Sequence, residues 1–75
     1  MYKIGDWFAV NKSICQLCFV GHKHKPIVQL VEENGFRHNH NSIEPSDMVD
    51  GSITEKQMDH LTNYVPFKKI TKETY

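Results

Sequence analysis

Short β-rich runs punctuated by turn residues fill this sequence as far as Pro45, and none of them is long enough for an ordinary helix. Trp7–Val10 and residues 13–20, which carry Ile14, Leu17, Phe19 and Val20, flank Asn11-Lys12 and predict a hairpin. A loop over residues 21–26 leads to a third run at 27–31. Asn34-Gly35 then offers the positive φ angles of a tight hairpin turn. Residues 36–40 continue as a weaker fourth strand, polar on both faces and therefore expected as an edge or a partly exposed strand.

After Pro45 the pattern changes. Thr54 and Gln57 have the spacing of a capping box, in which the hydroxyl accepts from the backbone and the amide reaches back to the cap. Met58, Leu61 and Val65 recur at intervals of three and four, on one helical face, and Pro66 removes the donor a longer helix needs. The helical part is thus assigned to 52–66, its helix to residues 54–65, with Ile53 stapled against Met58. Residues 67–75 are Lys-rich, have Ile70 as their single aliphatic side chain, and read as a tail or a last strand. The expected class is mainly β with one helix. Trp7, Phe8, Val10, Ile14, Leu17, Phe19, Ile27, Val28, Leu30 and Val31 are expected to share a core with Met58, Leu61 and Val65.

With 75 residues, 39% of them hydrophobic, the chain has room for one domain, 1–75, and its composition argues against disorder. A core of this size rarely supplies more than about 3–5 kcal/mol, so a dimer contact, a bound metal or a tight partner would add stability. No stretch approaches the roughly 18 apolar residues that cross a bilayer, and the opening residues lack the apolar run of a secretion signal. A cytoplasmic location without membrane contact is the expectation. There Cys15 and Cys18 stay reduced, and no structural disulfide is expected.

Cys15 and Cys18 are spaced as in a zinc knuckle, and His22, His24, His38 and His40 offer nitrogens to complete a tetrahedral site. In a regular strand, however, residues three apart point to opposite faces, so structural thiols are the expectation and no cofactor is assigned. Zinc held by Cys15, Cys18, His22 and His24 stays as the alternative. The paired histidines lie beside Lys23 and Arg37 and would add positive charge below about pH 6.5. No nucleophile with an assigned base and orienter can be read, so an enzyme is not expected.

The net charge is zero but uneven: Glu44, Asp47, Asp50, Glu55 and Asp59 against Lys56 leave residues 44–59 at −4 and the remainder at +4. Acidic side chains grouped in this way can meet a basic groove in place of DNA phosphates. The opening Lys3-Ile4-Gly5-Asp6-Trp7, the second strand, the Asn34-Gly35 turn and the closing Ser42-Ile43-Glu44-Pro45 together resemble small SH3-like β-barrels over residues 3–45. Many small phage-encoded proteins look like this, and the length and acidic helical half are similar to phage inhibitors of the host DNA-polymerase sliding clamp.

That resemblance implies a non-enzymatic module that blocks a host protein by occlusion, with Glu44, Asp47, Asp50, Glu55, Gln57 and Asp59 as partner-binding residues and a homodimer through an exposed sheet edge. Two stretches partly match clamp-binding peptides of the form Gln-Leu-Asp/Ser-Leu-Phe. They are Gln57-Met58-Asp59-His60-Leu61 and Gln16-Leu17-Cys18-Phe19; both depart from the pattern, and core packing by Met58, Leu61, Leu17 and Phe19 is the expected reading. The alternative functions are a nucleic-acid-binding barrel, with Trp7 or Tyr2 stacking on bases and residues 22–25 on phosphate, and a zinc-stabilised module.

Overall fold

The computed structural model describes residues 1–72. Its elements are β1 (Tyr2–Lys3), β2 (Trp7–Val10), β3 (Ser13–His22), β4 (Lys25–Glu32), a 3₁₀ turn (Pro45–Asp47), β5 (Ser52–Ile53), α1 (Glu55–Leu61) and β6 (Phe67–Ile70). The strands β2, β3 and β4 form an antiparallel meander in which Val10 pairs with Ser13, Leu17 with Leu30 and His22 with Lys25. β6 joins the other side of β2, giving the order β4-β3-β2-β6, while β1 and β5 make a separate antiparallel ribbon. The protein is therefore mainly β with one helix and antiparallel sheets. The larger sheet stays open, with β4 and β6 at its ends.

Strand alternation sorts the apolar residues onto two faces. Phe8, Val10, Cys15, Leu17, Val28 and Leu30 are buried together with Ile43, Ile53, Met58 and Leu61, so the helix and the small ribbon cover one face of the sheet. Trp7, Ile14, Ile27 and Val31 occupy the alternate positions and remain half-buried, and Phe19, near the far end of β3, is 50% exposed. Trp7, Ile14, Ile27 and Val31 do not belong to the single core that the sequence suggested, because the apolar runs supply both faces at once, whereas Phe19 shares the face of Cys15 and Leu17 but lies beyond the part of it that the helix and ribbon cover. The β3–β4 loop also shrinks from residues 21–26 to Lys23-His24.

The Lys-rich segment is a strand where the sequence left a tail open. Phe67 packs edge-to-face against Tyr2 and Phe8, with ring centroids 5.7 and 5.9 Å away, and this anchor starts β6 on the edge of β2. Beyond it the Lys72 ammonium sits 5.0 Å over the Trp7 ring and 2.9 Å from Glu33. Residues 73–75 of the expected tail lie outside the described residues.

Two expectations fail between Glu32 and Ile43. The Gly35 N–H donates to the Glu32 carbonyl at 2.8 Å and the Glu32 N–H to the Phe36 carbonyl at 2.8 Å, with Gly35 at φ 93° and Asn34 not left-handed. That is a three-residue loop closed by a glycine bulge, not a two-residue primed turn. Residues 36–40 do not form the fourth strand, and only the bridges Val31–Arg37 and Val28–Ile43 return along β4. The reason is side-chain chemistry. Asn39 donates to the Leu61 carbonyl and Asn41 to the His60 carbonyl, each at 2.8 Å, so the segment bulges out to satisfy the open C-terminal end of α1. Gln29 holds the bulge from the sheet side by donating to the carbonyls of Asn39 and Asn41.

The capping box forms as the spacing predicts: the Gln57 N–H donates to Thr54 Oγ1 at 3.1 Å, and the Thr54 N–H to Gln57 Oε1 at 2.8 Å. Ile53 and Met58 are both fully buried in the same cluster. The helix is shorter than 54–65, and Ser52–Ile53 of the expected helical part is strand β5. Thr62 caps α1, and Asn63 and Tyr64 turn left-handed at φ 57° and 63°, which ends the helix before Val65.

Candidate functional site

The corner after the sheet is pinned from two sides. Ile43 and Val28 exchange backbone hydrogen bonds at 2.9 and 3.0 Å, which ties the corner to β4. The 3₁₀ turn closes with Asp47 N–H on the Glu44 carbonyl, and Gln57 Nε2 donates to the Asp47 carbonyl at 2.8 Å, which ties the corner to α1. Residues 49–52 then reverse the chain in a two-residue hairpin turn, with Asp50 at φ 53° and Gly51 at φ 75° between the mutually bonded Val49 and Ser52.

A groove of about 500 Å³ lies between this corner and the helix. The corner supplies Ile43, Glu44, Asp47 and Val49, and the helix side supplies Lys56, Gln57, His60 and Tyr64. Helical spacing sets that division: Lys56, Gln57 and His60 share one face, Met58 and Leu61 point to the core, and Glu55 and Asp59 form another stripe. Val49 and Tyr64 are 56% and 74% exposed, large apolar surfaces left uncovered among the described residues. The groove thus offers apolar contact between the Glu44 and Asp47 carboxylates on the corner wall and Lys56 on the helix wall, a setting in which the corner suits a segment that carries apolar and basic side chains. Tyr64 is held there by a backbone that L residues rarely adopt, and strain of this kind gathers at functional surfaces.

The six residues picked from the sequence divide into three places. Glu44, Asp47 and Gln57 line the groove, but the Gln57 amide is already committed to the cap and to the Asp47 carbonyl. Asp50 sits on the exposed turn. Glu55 accepts the Tyr2 hydroxyl, and Asp59 lies one helical turn along the same stripe. That hydrogen bond first, and burial second, pushes the Tyr2 hydroxyl up to about 12. Each partial peptide match gives apolar residues to the core, Met58 and Leu61 from the first and Leu17 from the second, while Phe19 at the end of the second is 50% exposed. Sequence reasoning missed Val49 and Tyr64; their signal was an apolar residue before Asp50-Gly51 and an aromatic just past a helix end.

Cys15 is buried and Cys18 half-buried, both free, and burial raises both thiols. Cys18 lies 3.6 Å from Gln16 Oε1. His22 and His24 are exposed at the β3–β4 tip. The ligand atoms brought together are instead those of Cys15, Glu32 and His38, all within 4.8 Å of one another. Cross-strand register is their signal, since Cys15 and Glu32 are direct partners. The two stacking candidates are engaged: Trp7 lies under Lys72, and Tyr2 packs between Phe8 and Phe67.

No protein-family model, curated protein or solved structure matches the chain. Among the described residues, no helix is long and apolar enough to cross a membrane.

Proposed function

We propose that this chain is a non-enzymatic interaction protein of the phage-encoded SH3-like kind, which binds a host replication protein in the cytoplasm and blocks it, with the DNA sliding clamp as its foremost target. The observation that carries the reading is the groove, where Glu44 and Asp47 stand beside exposed Val49 and Tyr64 on a corner pinned to both β4 and α1. The SH3-like assignment draws support from the β2–β4 meander and from the return of β5 to β1 after the corner.

The mechanism is occlusion. Glu44 and Asp47 take basic side chains that the partner otherwise offers to DNA phosphates, while Val49 and Tyr64 exclude water beside them. Asp50, Glu55 and Asp59 add negative field around the contact and speed the encounter. Packing of Tyr2 against Phe8 and Phe67, and the Lys72 ammonium over the Trp7 ring, favour this reading over base stacking on nucleic acid. An affinity pull-down from nuclease-treated bacterial lysate tests it, with the wild type compared with Glu44→Gln/Asp47→Asn. The reading expects one replication protein captured by the wild type and lost with the variant. Capture of nucleic-acid-associated proteins alone, abolished by nuclease, would contradict it.

A further inference from the structure

We infer that Cys15, Glu32 and His38 form a binding site for one divalent transition-metal ion, zinc first among them, at the rim of the core. The three ligands come from three stretches of backbone held in fixed register. Cys15 and Glu32 face each other across β3 and β4, and the His38 N–H donates to the Leu30 carbonyl at 2.9 Å, which brings the imidazole back over the same end of the sheet. A thiol, a carboxylate and an imidazole together are the donor set of zinc rather than of calcium or magnesium, which favour oxygen alone.

Distances agree. Nitrogen and oxygen ligands about 2.0–2.1 Å from a tetrahedral zinc lie roughly 3.3 Å apart, and His38 Nδ1 is 3.1 Å from Glu32 Oε2. The Cys15 sulfur belongs to the same group, with every ligand atom within 4.8 Å of the others. Cys15 is fully buried, whereas the His38 and Glu32 side chains are 15% and 29% exposed, so the sulfur forms the floor and a fourth position faces solvent for a water. No residue of the groove takes part.

Binding needs no redox partner. The Cys15 thiol gives its proton to solvent as the sulfur–metal bond forms, Glu32 binds as the carboxylate, and His38 binds through the Nδ1 lone pair with its proton on Nε2. Burial first, and the facing Glu32 carboxylate second, push the Cys15 thiol up to about 11, and a cation there offsets the second of these.

Cobalt(II) titration of the reduced full chain, followed by zinc, is the test. The expected result is one cobalt per chain, visible bands of tetrahedral intensity, a near-ultraviolet thiolate-to-cobalt band, and displacement by zinc. Cys18→Ser should keep these signals, whereas His38→Gln, a change at a partly exposed side chain, should weaken binding by about tenfold or more. Cys15→Ser should lose the thiolate band. If that buried change unfolds the chain, His38→Gln and Cys18→Ser still decide. Zinc should also raise the denaturation midpoint of the wild type and not that of His38→Gln. Absence of the thiolate band in the folded wild type, its loss in Cys18→Ser, or unchanged affinity in His38→Gln would overturn the assignment.

Discussion

Tyr64 holds φ at 63° directly after Asn63 at 57°, and a left-handed L residue costs about 1–2 kcal/mol, less at asparagine. Glycine at position 64 removes that strain but adds backbone freedom to the unfolded chain. Tyr64→Gly should therefore raise stability by roughly 0.5–1 kcal/mol in a denaturant titration while weakening partner binding, since the exposed ring leaves the groove. Tyr2 and Cys15, together with the raised thiol of Cys18, work against the folded state at alkaline pH. The first two bind their protons more tightly when folded, at about 12 and about 11 against ordinary values of 10.0 and 9.0. Their contribution is full below pH 9 and is lost as pH rises from about 9 to 12, so the denaturation midpoint should fall through that window. Tyr2→Phe should flatten the fall above pH 10. Turn chemistry shows where single residues could be read. Asn34-Gly35 and Asp50-Gly51 are equivalent as sequence signals, yet only the second adopts two consecutive positive φ angles, because the first loop closes one residue later on Phe36.

The helix start was legible because its signals are local: a hydroxyl, an amide three residues later, and an apolar residue on each side. Thr54→Ala should cost about 1 kcal/mol, and Met58→Ala about 2–5 kcal/mol from the cavity it leaves under α1, both measured by denaturant unfolding. The three runs ahead of residue 32 were legible for the same reason, as alternation and turn residues lie within each run. The elements that were misassigned or left open depend on distant partners. Residues 36–40 give up a strand because Asn39 and Asn41 serve the helix end, and β6 forms because Phe67 meets Tyr2 and Phe8. Asn39→Ala should accordingly destabilise the protein by about 1–2 kcal/mol, a large effect for a residue outside regular structure.

Across the whole molecule the charge separation, −4 over residues 44–59, was plain in the sequence, whereas its distribution around the fold was not. Tertiary contacts divide one acidic stretch among a groove wall, a turn and a helix stripe beside Tyr2. They also gather Cys15, Glu32 and His38, which lie apart in the chain, while the two close cysteines stay on opposite faces of β3. Binding of a basic partner by the groove should weaken as salt rises, through slower association. The most direct test of the central claim is titration of the labelled chain with purified bacterial sliding clamp at low and moderate salt, for the wild type and for Glu44→Gln/Asp47→Asn. The account predicts saturable, salt-sensitive binding that drops about tenfold or more in a double variant that remains folded. No binding to the clamp, or equal affinity of the two proteins, would contradict it.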